Sequence, residues 1–174
     1  MTTFLNLASG TDIKDLPWVN LDVTSWPMAR RAPDVIWDAR TDRIPFDDES
    51  VDEVYAGYLL LHLPPRYHAD VLNDIWRVLK PGTFAVFGEV DMALLMPRWL
   101  ADPENVNLSE LIWGEMGSAH GEDLQEFDSH RWGYTESKLR NELLGHGFID
   151  LERIQVHVSA VWYELTIKAR KGSR

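Results

Sequence analysis

Short clusters of chemically capable side chains recur along this chain, each just after an apolar run: ASG at 8–10, Asp22, DAR at 38–40, the stretch 56–62 and EVD at 89–91. LNLASG at 5–10 reads as a strand entering a small-residue turn, the usual entrance to a nucleotide-type cofactor site. Gly10 allows the backbone to approach a ligand closely there. Asp22 and Asp38, at strand ends, can accept hydrogen bonds from a ligand's hydroxyl and amino groups. His62 titrates near neutrality and is the first candidate for a general base.

The elements that must position these clusters follow from periodicity and punctuation. Residues 4–7, 18–23, 33–37, 51–56 and 83–89 read as strands by their β-branched and aromatic content. Residues 67–80 put Tyr67, Val71, Leu72, Ile75, Val78 and Leu79 on one helical stripe, stopped by Lys80, Pro81 and Gly82. Asn107 followed by Glu110 resembles a capping box, with Leu108, Leu111, Ile112 and Met116 suited to a helix. Thr135 can cap a further helix with the stripe Leu139, Leu143 and Leu144 before Gly145. Residues 148–155 and 158–167 follow without an intervening helix and should pair as an antiparallel hairpin. Strands alternating with helices and ending in a hairpin describe an open α/β sheet with an antiparallel edge. Ligands bind such sheets beyond the carboxyl ends of the strands, so the clusters above should line one crevice.

Composition sets the outer limits. A chain of 174 residues with 45% hydrophobic content suits one domain, 1–174, with a packed core. Some of the eight tryptophans are expected to face a cleft. The net charge of −11 argues against sequence-independent nucleic-acid binding, which needs clustered Lys and Arg. The cationic stretch KARKGSR at 168–174 reads as a solvated tail. Without cysteine there is no disulfide framework, thiolate nucleophile or thiolate metal site. His62, His68, His120 and His130 lack ligand spacing, so no metal site is expected. No apolar run approaches a membrane span, and a cytoplasmic protein is the expectation.

Taken in order, five stretches resemble class I S-adenosylmethionine (SAM) dependent methyltransferases of the small bacterial and phage type. LNLASG stands at the family's first motif and NLD at 20–22 at its second strand with a terminal acid. DARTDRIPFDDESVDEVYAGYLLLHL, LNDIWRVLKPGTFAVF and HRWGYTESKLRNELLGHGF resemble its later motifs, so the likeness runs from about residue 4 to 156. It implies a Rossmann-like, doubly wound, mostly parallel seven-stranded sheet with an antiparallel C-terminal edge hairpin. It also implies SAM as cofactor and S-adenosylhomocysteine as product. Asn6, Leu7, Ala8, Ser9, Gly10, Asp22, Val23, Asp38, Ala39, Arg40, Ala56 and Gly57 would surround the cofactor. Asp22 would accept from the ribose hydroxyls, and Asp38 with the Ala39 backbone would read the adenine edge. Asp52 reads as a turn-orienting residue.

The chain departs from that family pattern in two places. Asn6 replaces the usual acid and Ala8 a glycine, which predicts weaker SAM binding at the methionine end. Only about ten residues separate the first strand from Trp18, room for one helical turn or none. A dinucleotide pyrophosphate needs that helix N-terminus and SAM does not, so the spacing favours SAM over NAD.

Methyl transfer is an in-line displacement that needs a base only when the acceptor carries a proton. His62 as base and His62 as a packing residue both stand open. Segment 92–133 is the expected substrate lid, with His130, Trp132 and Tyr134 lining the lid or acceptor pocket and Glu89 and Asp91 on the acceptor side. The expected acceptor is a small molecule or glycan. A degenerate SAM-binding or partner-regulating protein, or another SAM-consuming enzyme such as a lyase, is the alternative.

Overall fold

Apolar and polar residues alternate along the central strands, and that alternation builds the sheet. In the computed structural model, which describes residues 2–114, 125–155 and 163–173, seven strands lie side by side. They are β1 (Phe4–Leu7), β2 (Trp18–Asp22), β3 (Val35–Ile36), β4 (Val51–Gly57), β5 (Leu79–Val90), β6 (Phe148–Ile154) and β7 (Glu164–Lys171), in the order β3-β2-β1-β4-β5-β7-β6. The first five are parallel, and β7 and β6 run antiparallel along one edge, as the sequence implied. The helices are α1 (Leu59–His62), α2 (His68–Val78), α3 (Met92–Ala101), α4 (Val106–Trp113), α5 (Gln125–Asp128) and α6 (Glu136–Gly145).

One face of the sheet carries the core. Leu5, Leu7, Leu21, Val54, Ala56, Ala85, Phe87 and Ile167 are fully buried there, against Val71, Leu72, Ile75 and Val78 of α2 and Leu139 and Leu143 of α6. Each of the larger side chains, the alanines apart, contributes about 1.5–3 kcal/mol by leaving water. The opposite face presents Phe4, Asn6, Trp18, Asn20, Tyr55 and Phe84 by the same alternation. The connections from β1 to β2, β2 to β3 and β3 to β4 contain no helix. Lysines partly cover this face: Lys14 Nζ lies 4.4 Å from the Tyr55 ring centre and Lys168 Nζ 3.7 Å from that of Phe84.

Several element boundaries differ from the sequence reading. The helix expected over 67–80 is a 3-10 turn at Pro65–Tyr67 followed by α2, which ends at Val78 because Leu79 already pairs with Val51. β5 thus starts before the Lys80, Pro81 and Gly82 breaker, which becomes an excursion within it, with Gly82 at φ 78°. Asn105, not Asn107, caps α4, accepting from the Leu108 amide at 3.3 Å. Thr135 caps α6 as expected, but Leu144 is 54% exposed instead of joining Leu139 and Leu143.

Residues 168–171 of the stretch expected to be a solvated tail belong to β7, and Arg174 lies outside the described residues. β7 extends to Lys171 because β5 needs a partner along its length. Arg170 pairs with Asp150, and the Lys171 ammonium is buried against the Leu79 carbonyl at 2.7 Å. Met116, His120 and the first residues of the expected 158–167 strand lie outside the described residues.

Candidate functional site

The chain order reverses between β1 and β4, and the crevice beyond their carboxyl ends is where open α/β sheets bind ligands. A cleft of about 880 Å³ lies there. Asn6, Ala8, Ser9, Gly10, Asp22, Val23, Asp38, Ala39, Arg40, Gly57, His62 and His130 all line it. Leu7 and Ala56 do not, since alternation turns both into the core, where they are 0% exposed.

The turn after β1 is built by two left-handed residues, Ala8 at φ 50° and Gly10 at φ 52°, on either side of Ser9. Asp12 donates its amide to the Ser9 carbonyl at 2.8 Å and closes the turn. Ser9 Oγ is buried and has no partner among the described residues. A buried hydroxyl left unpaired costs free energy, so its position on the cleft wall suits a ligand's polar group. That orphan, beside a turn with room at Gly10, fits the amino-acid end of SAM.

Asp22 ends β2 and is 4% exposed. It accepts from the Gly10 amide at 2.7 Å and the Trp26 indole N–H at 3.0 Å. Burial pushes its carboxyl above the usual range while these donors pull the other way. Oδ2 carries one protein bond and keeps acceptor capacity for a ribose hydroxyl.

Asp38, expected at the adenine edge, is bound by a neighbouring guanidinium. Arg40 Nε and Nη2 hold both its oxygens at 2.8–3.1 Å, which keeps the carboxyl below its ordinary range and the guanidinium firmly charged. The remaining edge of Arg40 reaches Glu126 on α5 at 2.8 Å, and its plane lies 4.8 Å from the Phe127 ring centre.

His62 is presented by α1, which follows Tyr58 in the left-handed region at φ 56°. Its Nδ1 donates to the Ser129 carbonyl at 3.4 Å, and its ring meets that of His130 edge-on at 4.9 Å. Desolvation, with His130 and Arg131 adding repulsion, pushes its pKa down to about 3. A neutral imidazole of such low basicity is a hydrogen-bonding group, not an effective proton acceptor at neutral pH. His130 is likewise lowered by burial and donates Nδ1–H to the Leu111 carbonyl at 3.0 Å.

The other residues expected on the acceptor side lie off the cleft wall. Glu89 is fully buried and accepts from the Leu60 and Leu61 amides at 3.1 and 3.2 Å, holding the N-terminus of α1. Burial raises its carboxyl well above the ordinary range. Asp91 caps α3 through the Ala93 amide and pairs with Arg153 at 3.0 Å. Tyr134 is fully buried, donating to Glu142 at 2.8 Å beside His68. Trp132 stacks beneath Lys138 at 3.7 Å. These residues support the cleft from behind: Leu61 of α1 accepts from the amides of Arg131 and Trp132 at 2.7 and 3.1 Å and so ties the covering segment to the Glu89-capped helix.

Sequence reasoning missed Trp26 on the cleft wall, and it named the stretch 56–62 and the segment 92–133 without singling out Tyr58, Glu126 and Phe127, which line the cleft. Trp26, four residues after a strand-end acid, carried a legible signal. The others depend on chain segments meeting in space. Among the described residues no group of three His, Asp or Glu is arranged to hold a metal ion.

Residues 11–87 match the family model described as "Methyltransferase domain". No curated protein sequence matches the chain. Among solved structures, a SAM-dependent methyltransferase from Methanosarcina mazei aligns at TM-score 0.61 and 17% identity, over 99% of this chain and 93% of that one. One from Archaeoglobus fulgidus gives TM-score 0.63 and 14% identity over 98% and 86%. The 1,6-didemethyltoxoflavin-N1-methyltransferase of Burkholderia thailandensis, solved with that substrate and S-adenosylhomocysteine, gives 0.60 and 16% over 99% and 72%.

Proposed function

We propose that this chain, a class I SAM-dependent methyltransferase by its fold and by the domain match over 11–87, transfers a methyl group to a small-molecule or glycan acceptor bound under α5. SAM supplies an electrophilic methyl on a sulfonium, and its transfer leaves S-adenosylhomocysteine. The carrying observation is the buried, unpartnered Ser9 hydroxyl between two left-handed residues, next to Asp22 at the switch point of the sheet.

In this reading the Ser9 hydroxyl and the turn around Gly10 hold the amino-acid end, and Asp22 holds the ribose. Ala39 and Asp38 face the adenine, with Arg40 sharing the Asp38 carboxylate. Tyr58, His62 and His130 orient the acceptor. Burial pushes the Tyr58 hydroxyl well above its ordinary pKa, so it stays a protonated donor. With His62 neutral, catalysis rests on alignment and exclusion of water, and the acceptor nucleophile needs no base from His62.

Three observations support a small acceptor: a cleft of about 880 Å³, the charge of −11 that disfavours polyanions, and a structural neighbour whose substrate is 1,6-didemethyltoxoflavin. Titration with SAM and S-adenosylhomocysteine, followed by tryptophan fluorescence, tests the cofactor. Trp26 on Asp22 is the natural reporter. Saturable micromolar binding is expected, and no binding at millimolar SAM would overturn the reading. S-adenosylhomocysteine formation with a candidate acceptor separates transfer from binding alone, and other SAM fragments would indicate lysis.

A further inference from the structure

The chain must return from β1 to β2 across the open face of the sheet without a helix, and two buried amides hold it down. Asn6 and Asn20 are in-register neighbours on β1 and β2, 1% and 0% exposed, with side chains on the same face. Asn6 Nδ2 donates to Asn20 Oδ1 at 2.9 Å and to the Asp12 backbone carbonyl at 2.7 Å. Asn20 Oδ1 also accepts from the Lys14 amide at 2.8 Å, while its Nδ2 donates to the Lys14 carbonyl at 2.9 Å and to Asp34 at 2.8 Å. Asn20 thus takes both backbone groups of Lys14, as a neighbouring strand would. The network fixes which way each amide points, because Asn6 Nδ2 faces two acceptors.

We infer that Asn6 and Asn20 form an amide clasp that replaces the crossover helix and thereby positions the turn carrying Ala8, Ser9 and Gly10. Asn6 is a positioning residue, not a weakened cofactor ligand. The link is one residue long: the clasp pins the carbonyl of Asp12, and the amide of Asp12 closes the turn onto Ser9. An acid at position 6, 1% exposed, would set a carboxylate against two acceptor oxygens, so this chain, lacking the helix, requires an amide there. The consequence for SAM rests on the proposed function, whereas the clasp itself does not.

The first variant is Asn20→Ala, since Asn20 does not line the cleft. It should lose the hydrogen-exchange protection of the Lys14 amide and bind SAM at least about tenfold more weakly, the loss of one well-made hydrogen-bond set. The second is Asn6→Asp. Its introduced carboxyl, buried against acceptors, has a folded pKa above the unfolded one, so stability is kept at low pH and lost as pH rises through the folded value. Its melting temperature should therefore fall further below wild type at pH 7.5 than at pH 4.5. The charged and titratable neighbours of the clasp are Asp12, Lys14, Arg31, Asp34 and, in register with Asn6 on β4, Tyr55, which both proteins share. If Asn20→Ala does not fold, Asn20→Leu, which is closer in volume and also removes the acceptor for the Lys14 amide, gives the same exchange and affinity readings. Asn6→Asp binding SAM as tightly as wild type, or tighter, would overturn the inference, as would an unchanged Lys14 exchange rate. If wild type itself does not bind SAM, the functional reading falls while Lys14 exchange and the pH dependence still decide the clasp.

Discussion

Arg40 and Glu126 join across the mouth of the cleft: Nη1 meets Oε1 at 2.8 Å while the other edge of the same guanidinium grips Asp38. The pair links the loop after β3 to α5, so the strand-end acid expected at the adenine is tied to the helix on the opposite wall of the cleft. Glu126→Gln should release that helix and leave Asp38 paired with Arg40. Because Glu126 is largely exposed, the pair is worth under about 1 kcal/mol. SAM association, followed by stopped-flow fluorescence, should quicken by up to about fivefold, the same energy expressed as a rate. Slower association in the variant would show that the pair does not strap the cleft.

His62 gives a pH signature. Its folded pKa of about 3 lies below the ordinary 6.5, so its contribution to stability is complete above 6.5 and is lost as pH falls towards 3. The slope is at most about 1.4 kcal/mol per pH unit, and less for a half-buried ring. His62→Gln should flatten stability against pH in that window, measured by urea unfolding at intervals from pH 7 to 4. By NMR the wild-type ring should show no titration between pH 5 and 8, and a midpoint near 6.5 would contradict the neutral assignment.

Ala8 occupies a left-handed conformation that costs an alanine about 1–2 kcal/mol. Glycine would relieve this but gains about 0.4–1 kcal/mol of freedom in the unfolded chain. Ala8→Gly is therefore expected to raise unfolding free energy by up to about 1.5 kcal/mol, read by denaturant titration. A loss of stability would mean that the packing of the Ala8 methyl group against the core outweighs the strain.

Asp22 accepts the Gly10 amide and the Trp26 indole and keeps room for a ribose hydroxyl. Asn at this position would turn a donor toward one of them. Asp22→Asn should weaken SAM binding by about 10–100-fold, the range for losing a charge-assisted hydrogen bond. Calorimetric titration of SAM into the variant measures this, and unchanged affinity would remove Asp22 from the site.

Much of the fold was legible because alternation is local. Leu5, Leu7, Val54, Ala56, Ala85 and Phe87 mark the buried face without reference to anything distant. Helices were less legible where the stripe was missing. α3, MALLMPRWLA, is apolar nearly all round, with Leu95 buried but Leu94 and Leu100 exposed, and no 3.6-residue period announces it. α1 is four residues long and owes its N-terminus to Glu89, a residue far along the chain. No local pattern could have revealed it.

By itself the sequence determined the strands, their mostly parallel order with an edge hairpin, and the strand ends from which a cleft is built, because periodicity and chain connectivity require no knowledge of distant partners. Only the tertiary structure decided what each polar group there faces. It turned Glu89 and Asp91 to helix ends, put Asp38 in the grip of Arg40, and left Ser9 without a partner. It also placed Asn6 beside Asn20 with a loop's backbone above them, so that the residue most at odds with the family pattern is the one this helix-free crossover needs. The physical reason is that burial and hydrogen bonding are properties of pairs brought together by folding, and a side chain's chemistry is set by the partner it meets.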